Sequence, residues 1–378
     1  MVMKQFVLIM ILTGALISCV RKTGNSKMEI KILDAEMIND DGLNRYIDKL
    51  DFTIVDTTLL YFSQIDKIIV DDSLLINLVG RERKVIVIVD KGGHLYGKID
   101  YLGGGPGEYK QITDYTFNFK TKEIIVYDMA TRGLYSYNLR GQFKWQKKLD
   151  LGAVNLITDD QYYYFYTKKF ISELGSGNEV VVLDQNFKLV NSFFKYTEQP
   201  DRFRYSADQV FARNDRNEIL FSNVFRDTTY KISSKACVPY CTYRVNEEIP
   251  TRYTVDRDLF NNYFRKYNFY SGLYESTQNW IYLRVVQKSF FKDFYLSIDR
   301  KFFIETANTH ISKNIYLSKP IGCDNQYFYY AIHPGWIEDH VDEFYKLLTK
   351  YNRPDLVSYF DRNLLNYNPI IVRVKFID

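Results

Sequence analysis

Short unbroken apolar runs recur along the chain, most of them introduced by Asp, Asn or Glu: Ser73–Asn77, Glu123–Tyr127, Asp160–Phe165, Asn217–Phe221, Asn279–Leu283 and Asn325–Tyr330. A polar turn followed by a continuous apolar run marks a strand buried on both faces. Behind several of these strands comes a second step, a strand ending in Asp or Asn. Val87-Ile88-Val89-Asp90 precedes Gly92-Gly93, and Tyr135-Ser136-Tyr137-Asn138 precedes Gly141. Val181-Val182-Leu183-Asp184 and Leu296-Ser297-Ile298-Asp299 repeat it. Asp, Asn and Gly tolerate the left-handed turn conformation, so these are predicted hairpins. Asp90 and Asn138 lie 48 residues apart, Asn138 and Asp184 46. Units of about 40 to 50 residues, each a small antiparallel sheet, are the mark of propeller blades.

Six such strands predict an all-β chain, a six-bladed β-propeller with blades over 57–109, 110–152, 153–200, 201–250, 251–312 and 313–378. Closure solves the edge problem, since a radially packed sheet buries both faces against its neighbours. The last strand, Pro369–Phe376, or the early Phe52–Val55, is expected to complete the ring. Between Tyr330 and Pro369 the period changes: Val341, Phe344, Tyr345, Leu348 and Tyr351 fall at helical spacing. Glu338 and Asp339 at its start and Lys346 and Lys350 near its end complement a helix dipole, and Pro354 marks the stop. A short helical insert in the last blade, packed over one mouth, is predicted.

The first residues follow another pattern. Lys4 precedes an apolar run from Phe6 to Leu12, too short to span a bilayer and suited to a secretory signal. Leu16-Ile17-Ser18-Cys19 resembles the lipobox of bacterial lipoproteins, which implies diacylglycerol on the Cys19 thiol and a membrane anchor. The domain reading is therefore 1–18 signal peptide, 19–50 lipidated N-terminus and tether, and 51–378 propeller.

Composition agrees with β structure. Of 378 residues 17% are aromatic, with Tyr (33) and Phe (27) far above Trp (3), and Tyr and Phe favour pleated surfaces. A net charge of +4 without a long Lys/Arg block argues against nucleic acid. Cys237 and Cys241 either close a small disulfide in an oxidising compartment or stay reduced on neighbouring strands or turns. Two Cys without a nearby Cys/His pair make no zinc site. Cys323 reads as a buried apolar residue.

Gly103-Gly104-Gly105-Pro106-Gly107-Glu108-Tyr109 lacks the Gly-Lys-Ser/Thr of a phosphate loop and leads into the alternating run Ile112–Phe117. It reads as a compact turn between blades. With the strands after it and Tyr137-Asn138 ahead of Gly141, it resembles the six-bladed β-propeller lipoproteins of Bacteroidetes, loosely related to NHL-repeat propellers. The closing Asn368-Pro369-Ile370-Ile371-Val372 is similar to that family's ending. The resemblance implies architecture and an outer-membrane setting, since some members are encoded near outer-membrane nutrient-uptake systems. Some such lipoproteins carry an acidic surface-export run after the Cys. Arg21-Lys22 stand there instead, which leaves the membrane face open.

No linear motif declares chemistry. His333 and His340 bracket Trp336, Glu338 and Asp339, but a spacing of seven across Pro334-Gly335 does not place both rings on one helix face. Gly175-Ser176-Gly177 lies in a hairpin loop, not a nucleophile elbow. Asp71-Asp72 and Asp159-Asp160 sit at strand entries, where they form turns. No cofactor and no metal ligand set is implied. The favoured function is a binding or scaffold module engaging a glycan, peptide or outer-membrane protein, with aromatic stretches Tyr162–Tyr166 and Tyr267–Tyr270 suited to sugar stacking or to blade packing. The rival is a metal-dependent hydrolase or lyase with its residues around the central channel.

Overall fold

The computed structural model describes residues 28–31, 43–55, 60–168, 174–175, 177–196, 209–254, 256–298, 303–307, 319–363 and 368–377. Cys19 and the whole 1–18 segment lie outside them, as do His310 and Asp299. Two strands come first, β1 (Met28–Lys31) and β2 (Ile47–Thr53). Blade 1 then comprises β3 (Ile65–Asp71), β4 (Leu74–Val79), β5 (Val85–Asp90) and β6 (Leu95–Ile99). Blade 2 follows with β7 (Asp114–Asn118), β8 (Glu123–Asp128), β9 (Gly133–Asn138) and β10 (Phe143–Lys148). Blade 3 holds β11 (Asn155–Thr158), β12 (Tyr163–Tyr166), β13 (Asn178–Leu183) and β14 (Leu189–Lys195). Blade 4 has β15 (Phe211–Arg213), β16 (Ile219–Phe221), β17 (Thr228–Ile232) and β18 (Cys237–Arg244), and blade 5 β19 (Asn268–Ser276), β20 (Trp280–Gln287), β21 (Phe290–Ser297) and β22 (Phe303–Ala307). Blade 6 contributes β23 (Gly322–Cys323), β24 (Phe328–Ile332) and β25 (Ile370–Phe376).

The ring is the six-bladed β-propeller expected from the pattern, and each of the six apolar runs supplies the second strand of a blade. Both candidates for closure take part. β25 pairs antiparallel with β24, and β2 pairs antiparallel with β25 as the outer strand of blade 6. An early strand and the last strand thus share one sheet. The second strands are buried on both faces, as in β4 and β8, because neighbouring blades cover them. Full burial of an Ile such as Ile88 contributes about 1.5–3 kcal/mol.

Two parts of the stretch 19–50 are strands rather than tether. β1 adds a fifth, parallel strand to the outer edge of blade 4, Met28 opposite Cys241 and Lys31 opposite Arg244. β2 begins at Ile47, ahead of residue 51.

The helical insert also differs in detail. It comprises three helices, Pro334–Asp339, Val341–Lys350 and Pro354–Asn363. Glu338 and Asp339 end the first helix, while Asp342 and Glu343 open the second. Pro354 starts the third helix instead of stopping the second; Pro fits the first turn, where its missing N–H goes unused. Phe344 meets Phe52 of the outer strand edge to face at 6.4 Å, and Arg353 donates to the Phe52 carbonyl. These contacts are with the outer strand of blade 6, not with a mouth of the channel.

Strand order fixes two faces. First-to-second and third-to-fourth strand connections meet on one end of the ring and span two to five residues; this is the turn face. Second-to-third and blade-to-blade connections meet at the other end, the loop face, and reach 37 residues in blade 6. No helix among the described residues is long and apolar enough to cross a membrane.

Candidate functional site

The innermost strand of every blade lines the central channel, an open cavity of about 650 Å³ with the solvent at its mouth included. Its polar wall is built from Lys67, Asp114, Asn155, Arg213, Glu275 and Cys323, one from each blade in turn. The Lys67 ammonium lies 2.8 Å from Asp114 Oδ1 and donates to the Tyr115 carbonyl at 2.8 Å. Asp114 Oδ1 also accepts from the Tyr115 amide, and Oδ2 from the Leu156 amide, both at 2.8 Å. A buried ion pair is tolerated when its remaining lone pairs are satisfied, as here. One carboxylate thereby joins blades 1, 2 and 3.

Other inter-blade bonds continue around the ring. Arg213 donates to the Thr158 carbonyl, the Ser222 hydroxyl to the Gly272 carbonyl at 2.7 Å, and the Gln278 amide to the Asn325 carbonyl at 2.8 Å. The Ile68 amide meets the Ile321 carbonyl at 2.8 Å and closes blade 6 onto blade 1.

Glu275 and Cys323 form the channel's second cluster. The Cys323 thiol donates to Glu275 Oε2 at 3.2 Å, and Glu275 is 4% exposed. Burial pushes the Glu275 carboxyl up to about 7, against the thiol's hydrogen bond and the positive fields of Lys67 and Lys319. Burial, then the Glu275 charge, hold the Cys323 thiol well above its ordinary value, which keeps it a protonated donor. Cys323 is therefore a polar partner on the channel wall rather than an apolar core residue. Sequence reasoning did not single out Lys67, Asp114 or Glu275. The available signal was a charged residue inside a strand that must be buried, as at Asp114 opening β7 and Glu275 in β19.

The Gly-rich turn lies between blades 1 and 2 on the loop face and spends its groups on itself. Glu108 Oε2 accepts from the Gly104 and Gly105 amides at 2.8 and 2.7 Å, and the Gly103 amide donates to the Tyr109 carbonyl. Gly107 sits at φ +74°, where an added Cβ would press into the Phe143 ring. Pro106 lies between, and Tyr109 is buried with its hydroxyl on the Ile99 carbonyl. The carboxylate of Glu108 fills the place an anion would take.

Cys237 and Cys241 are not bridged and stand at the two ends of one extended stretch of β18. Four residues of strand span about 13 Å, twice the reach of a disulfide, so the bridge held open above is excluded. The aromatic stretches are core: Tyr163, Tyr164, Phe165, Tyr166, Phe269 and Tyr270 are all buried and cannot stack on a sugar. His333 caps the first insert helix through the Gly335 amide, while His340 stacks on Trp336 at 4.9 Å. Among the described residues no three His, Cys, Asp or Glu side chains converge to hold a metal. Asp159 and Asp324 serve turns, each accepting two backbone amides and a tyrosine hydroxyl.

A closed ring of six blades, five of them four-stranded and blade 4 carrying β1 as a fifth strand, around a polar channel defines the chain as a six-bladed β-propeller protein. It belongs to the family described as Domain of unknown function (DUF4934), whose model matches residues 56–375. No curated protein matches the chain. Among solved structures it is similar to a Bacteroides fragilis NCTC 9343 protein, named as a presumed exported protein, at 15% identity and TM-score 0.73, covering 93% of this chain and 100% of that one. A member of the duf4221 family from Bacteroides vulgatus ATCC 8482 aligns at 11% identity and TM-score 0.53, over 88% and 97% of the two chains. At these identities the likeness concerns the fold.

Proposed function

We propose that this chain is an envelope-exposed binding or scaffold propeller, exported, tied to the outer membrane by lipid on Cys19, and presenting its loop face to a partner protein of a nutrient-uptake system. The observation that carries the reading is the division of labour in the ring. Channel charges such as Lys67 and Asp114 are spent on one another across blades, while the loop face bears every long connection. Rigid scaffolds with variable loops on one face are the usual build of recognition proteins. The name of the Bacteroides fragilis neighbour, which includes export, supports the compartment, and the signal-like residues 1–18 support the anchor.

The test is labelling with a radioactive fatty acid in a bacterial host, followed by capture of partners from solubilised membranes. Label should be present on the intact chain and absent from Cys19→Ala, and capture should return an envelope protein. Unlabelled intact chain would sink the anchor, and turnover of a small molecule without any captured protein would sink the binding role.

One observation favours an enzyme as the second reading. Glu275, with its carboxyl pushed up to about 7 inside a channel, has the environment of a general acid. That reading requires turnover that Glu275→Gln abolishes, and metal analysis of the purified chain tests its metal-dependent form.

A further inference from the structure

The loop face is built up most heavily beside blade 5. The connection from β18 to β19 folds as a turn (Thr251–Tyr253), helix α1 (Arg257–Tyr263) and a second turn (Phe264–Lys266). Phe260 of this connection shares an apolar cluster with Val286 of the β20–β21 hairpin, and the Lys288 amide at the hairpin tip donates to the Tyr267 carbonyl. Connection and hairpin therefore form one rigid rim.

Three cations on this rim are seated on aromatic rings. Arg252 lies 4.8 Å from the Tyr253 centroid, Lys266 5.3 Å from Tyr263, and Arg265 5.7 Å from Phe264. Tyr253 in turn stacks on Tyr263 at 4.5 Å. A cation lodged on a ring face keeps its direction without a carboxylate partner. Among the described residues neither these three nor the exposed Arg257 forms an ion pair with this chain's own acids. Of the connection's four acids, Glu247 pairs with Lys288 of the hairpin at 3.0 Å and Asp256 is committed as N-cap to the Leu259 amide at 2.9 Å, leaving Glu248 and Asp258. Beside the cations stand exposed apolar side chains: Leu259 (40%), Phe290 (59%) and Phe291 (45%).

We propose that this rim docks an acidic segment of a partner protein that also carries apolar side chains. The four cations without an acid partner outnumber the uncommitted Glu248 and Asp258 and call for an acidic occupant, and the exposed Phe and Leu suit peptide side chains better than a hydroxyl-rich glycan. The direction of β1 argues against the anchoring bilayer as occupant. β1 runs parallel to β18, so the chain reaches it from the turn-face side. Eight residues separate Cys19 from Met28, a reach of at most about 30 Å. An anchor at Cys19 therefore holds the turn face toward the membrane and the rim away from it. The proposal rests on the binding-propeller reading and names its partner class.

The test uses the full chain and a synthetic peptide repeating Glu-Glu-Leu-Phe, with a Gln-for-Glu version, polygalacturonate and phosphatidylglycerol vesicles as rival probes. The acidic peptide is expected to bind most tightly. Its Kd should rise at least about tenfold in the quadruple variant Arg252→Glu, Arg257→Glu, Arg265→Glu, Lys266→Glu, and in Phe290→Ser with Phe291→Ser. All these side chains are exposed, so an unchanged melting temperature verifies folding. Charge reversal of Lys120, Lys188, Arg216 and Lys235 on the turn face should leave binding intact. Binding unaffected by the rim variants, or preferential capture of vesicles or polygalacturonate, overturns the proposal. Loss of peptide binding in the turn-face variant alone overturns the rim while sparing the binding reading; turnover without binding overturns both.

Discussion

The two ends of this propeller are built by different means. On the turn face one local device recurs: Asp90, Asn138 and Asp184 each accept two amides two and four residues on. Asn214 does the same between β15 and β16. The loop face and the channel mouth beneath it use contacts found once, such as the Asp114 carboxylate that bridges three blades. Repeated local devices can fail singly, whereas unique long-range ones hold the ring closed. The difference also says where function has room to vary, since a loop that forms no common turn is free to recognise.

Asp114→Ala tests this contrast most severely. It leaves the Lys67 ammonium its bond to the Tyr115 carbonyl but takes its counter-charge, and strands the Leu156 amide; removing one partner of a buried pair costs about 3–5 kcal/mol. Chemical denaturation should show that loss; a cost below about 1 kcal/mol would mean the channel bonds do not hold the blades together.

Glu275 gives a pH-dependent version. Its folded carboxyl titrates near 7 and its ordinary value is 4.5, so the folded state binds the extra proton between the two. Stability from this group is full below about pH 4.5 and is lost as pH rises through 7, by on the order of 3 kcal/mol. Melting temperatures of Glu275→Gln against the intact chain should diverge over that window, the variant being relatively more stable at pH 8. Parallel curves would show that the buried carboxyl titrates normally.

Gly141 is where the turn face behaves like the loop face. It lies at φ +84°, and an added Cβ would overlap the Lys98 carbonyl oxygen of the preceding blade. Gly141→Val should cost about 2–3 kcal/mol from backbone strain and displaced packing. In blade 3 Phe187 occupies the same turn position at φ 61° and packs on Trp145 of blade 2. The Gly requirement is therefore one of fit between particular blades. Smaller effects are expected where the device repeats. Tyr164 donates to Asp159 at 2.6 Å and Tyr329 to Asp324 at 2.7 Å. Tyr164→Phe and Tyr329→Phe should each cost about 1 kcal/mol, adding in the double variant because they sit in different blades.

The same contrast decides what was legible in the sequence. Asp90, Asn138 and Asp184 act within a few residues of themselves, so the hairpins and the blade repeat could be read from spacing. The closing strand was legible only as a pair of candidates, because β2 and β25 meet from opposite ends of the chain. The first two insert helices blurred into one, since the break at His340 is a local backbone kink with no Gly or Pro to announce it, and the third was missed because Pro354 read as a stop rather than a start. Cys237 and Cys241 stayed open between a bridge and two reduced thiols because spacing in sequence does not report that both lie along one extended strand. Lys67, Asp114, Glu275 and Cys323 were unreadable as a set: they converge only when six blades close, and no period in the chain encodes that meeting.

The mildest substitution isolates the repeated device itself. Asp90 Oδ1 accepts the Gly92 and His94 amides at 2.8 and 2.9 Å, and Asn138 Oδ1 makes the matching bonds to Arg140 and Gln142. The side-chain oxygen is common to both residues; the charge is not. Hydrogen bonds from His94 and Gly92 outweigh the opposing burial and hold the Asp90 carboxyl below its ordinary value. The charged form is thus the one bound to the turn, and its small contribution is lost as pH falls through that lowered value. His94 and Asp90 are both solvent-exposed, so screening keeps this charge effect small. Asp90→Asn should therefore change stability by less than about 0.5 kcal/mol at neutral pH and remove the acid dependence of this turn. Asp90→Ala, which deletes the acceptor, should cost about 1 kcal/mol. Equal losses in both variants, measured by urea unfolding, would mean that charge rather than acceptor geometry forms the turn, and that blades 1 and 2 do not share one device.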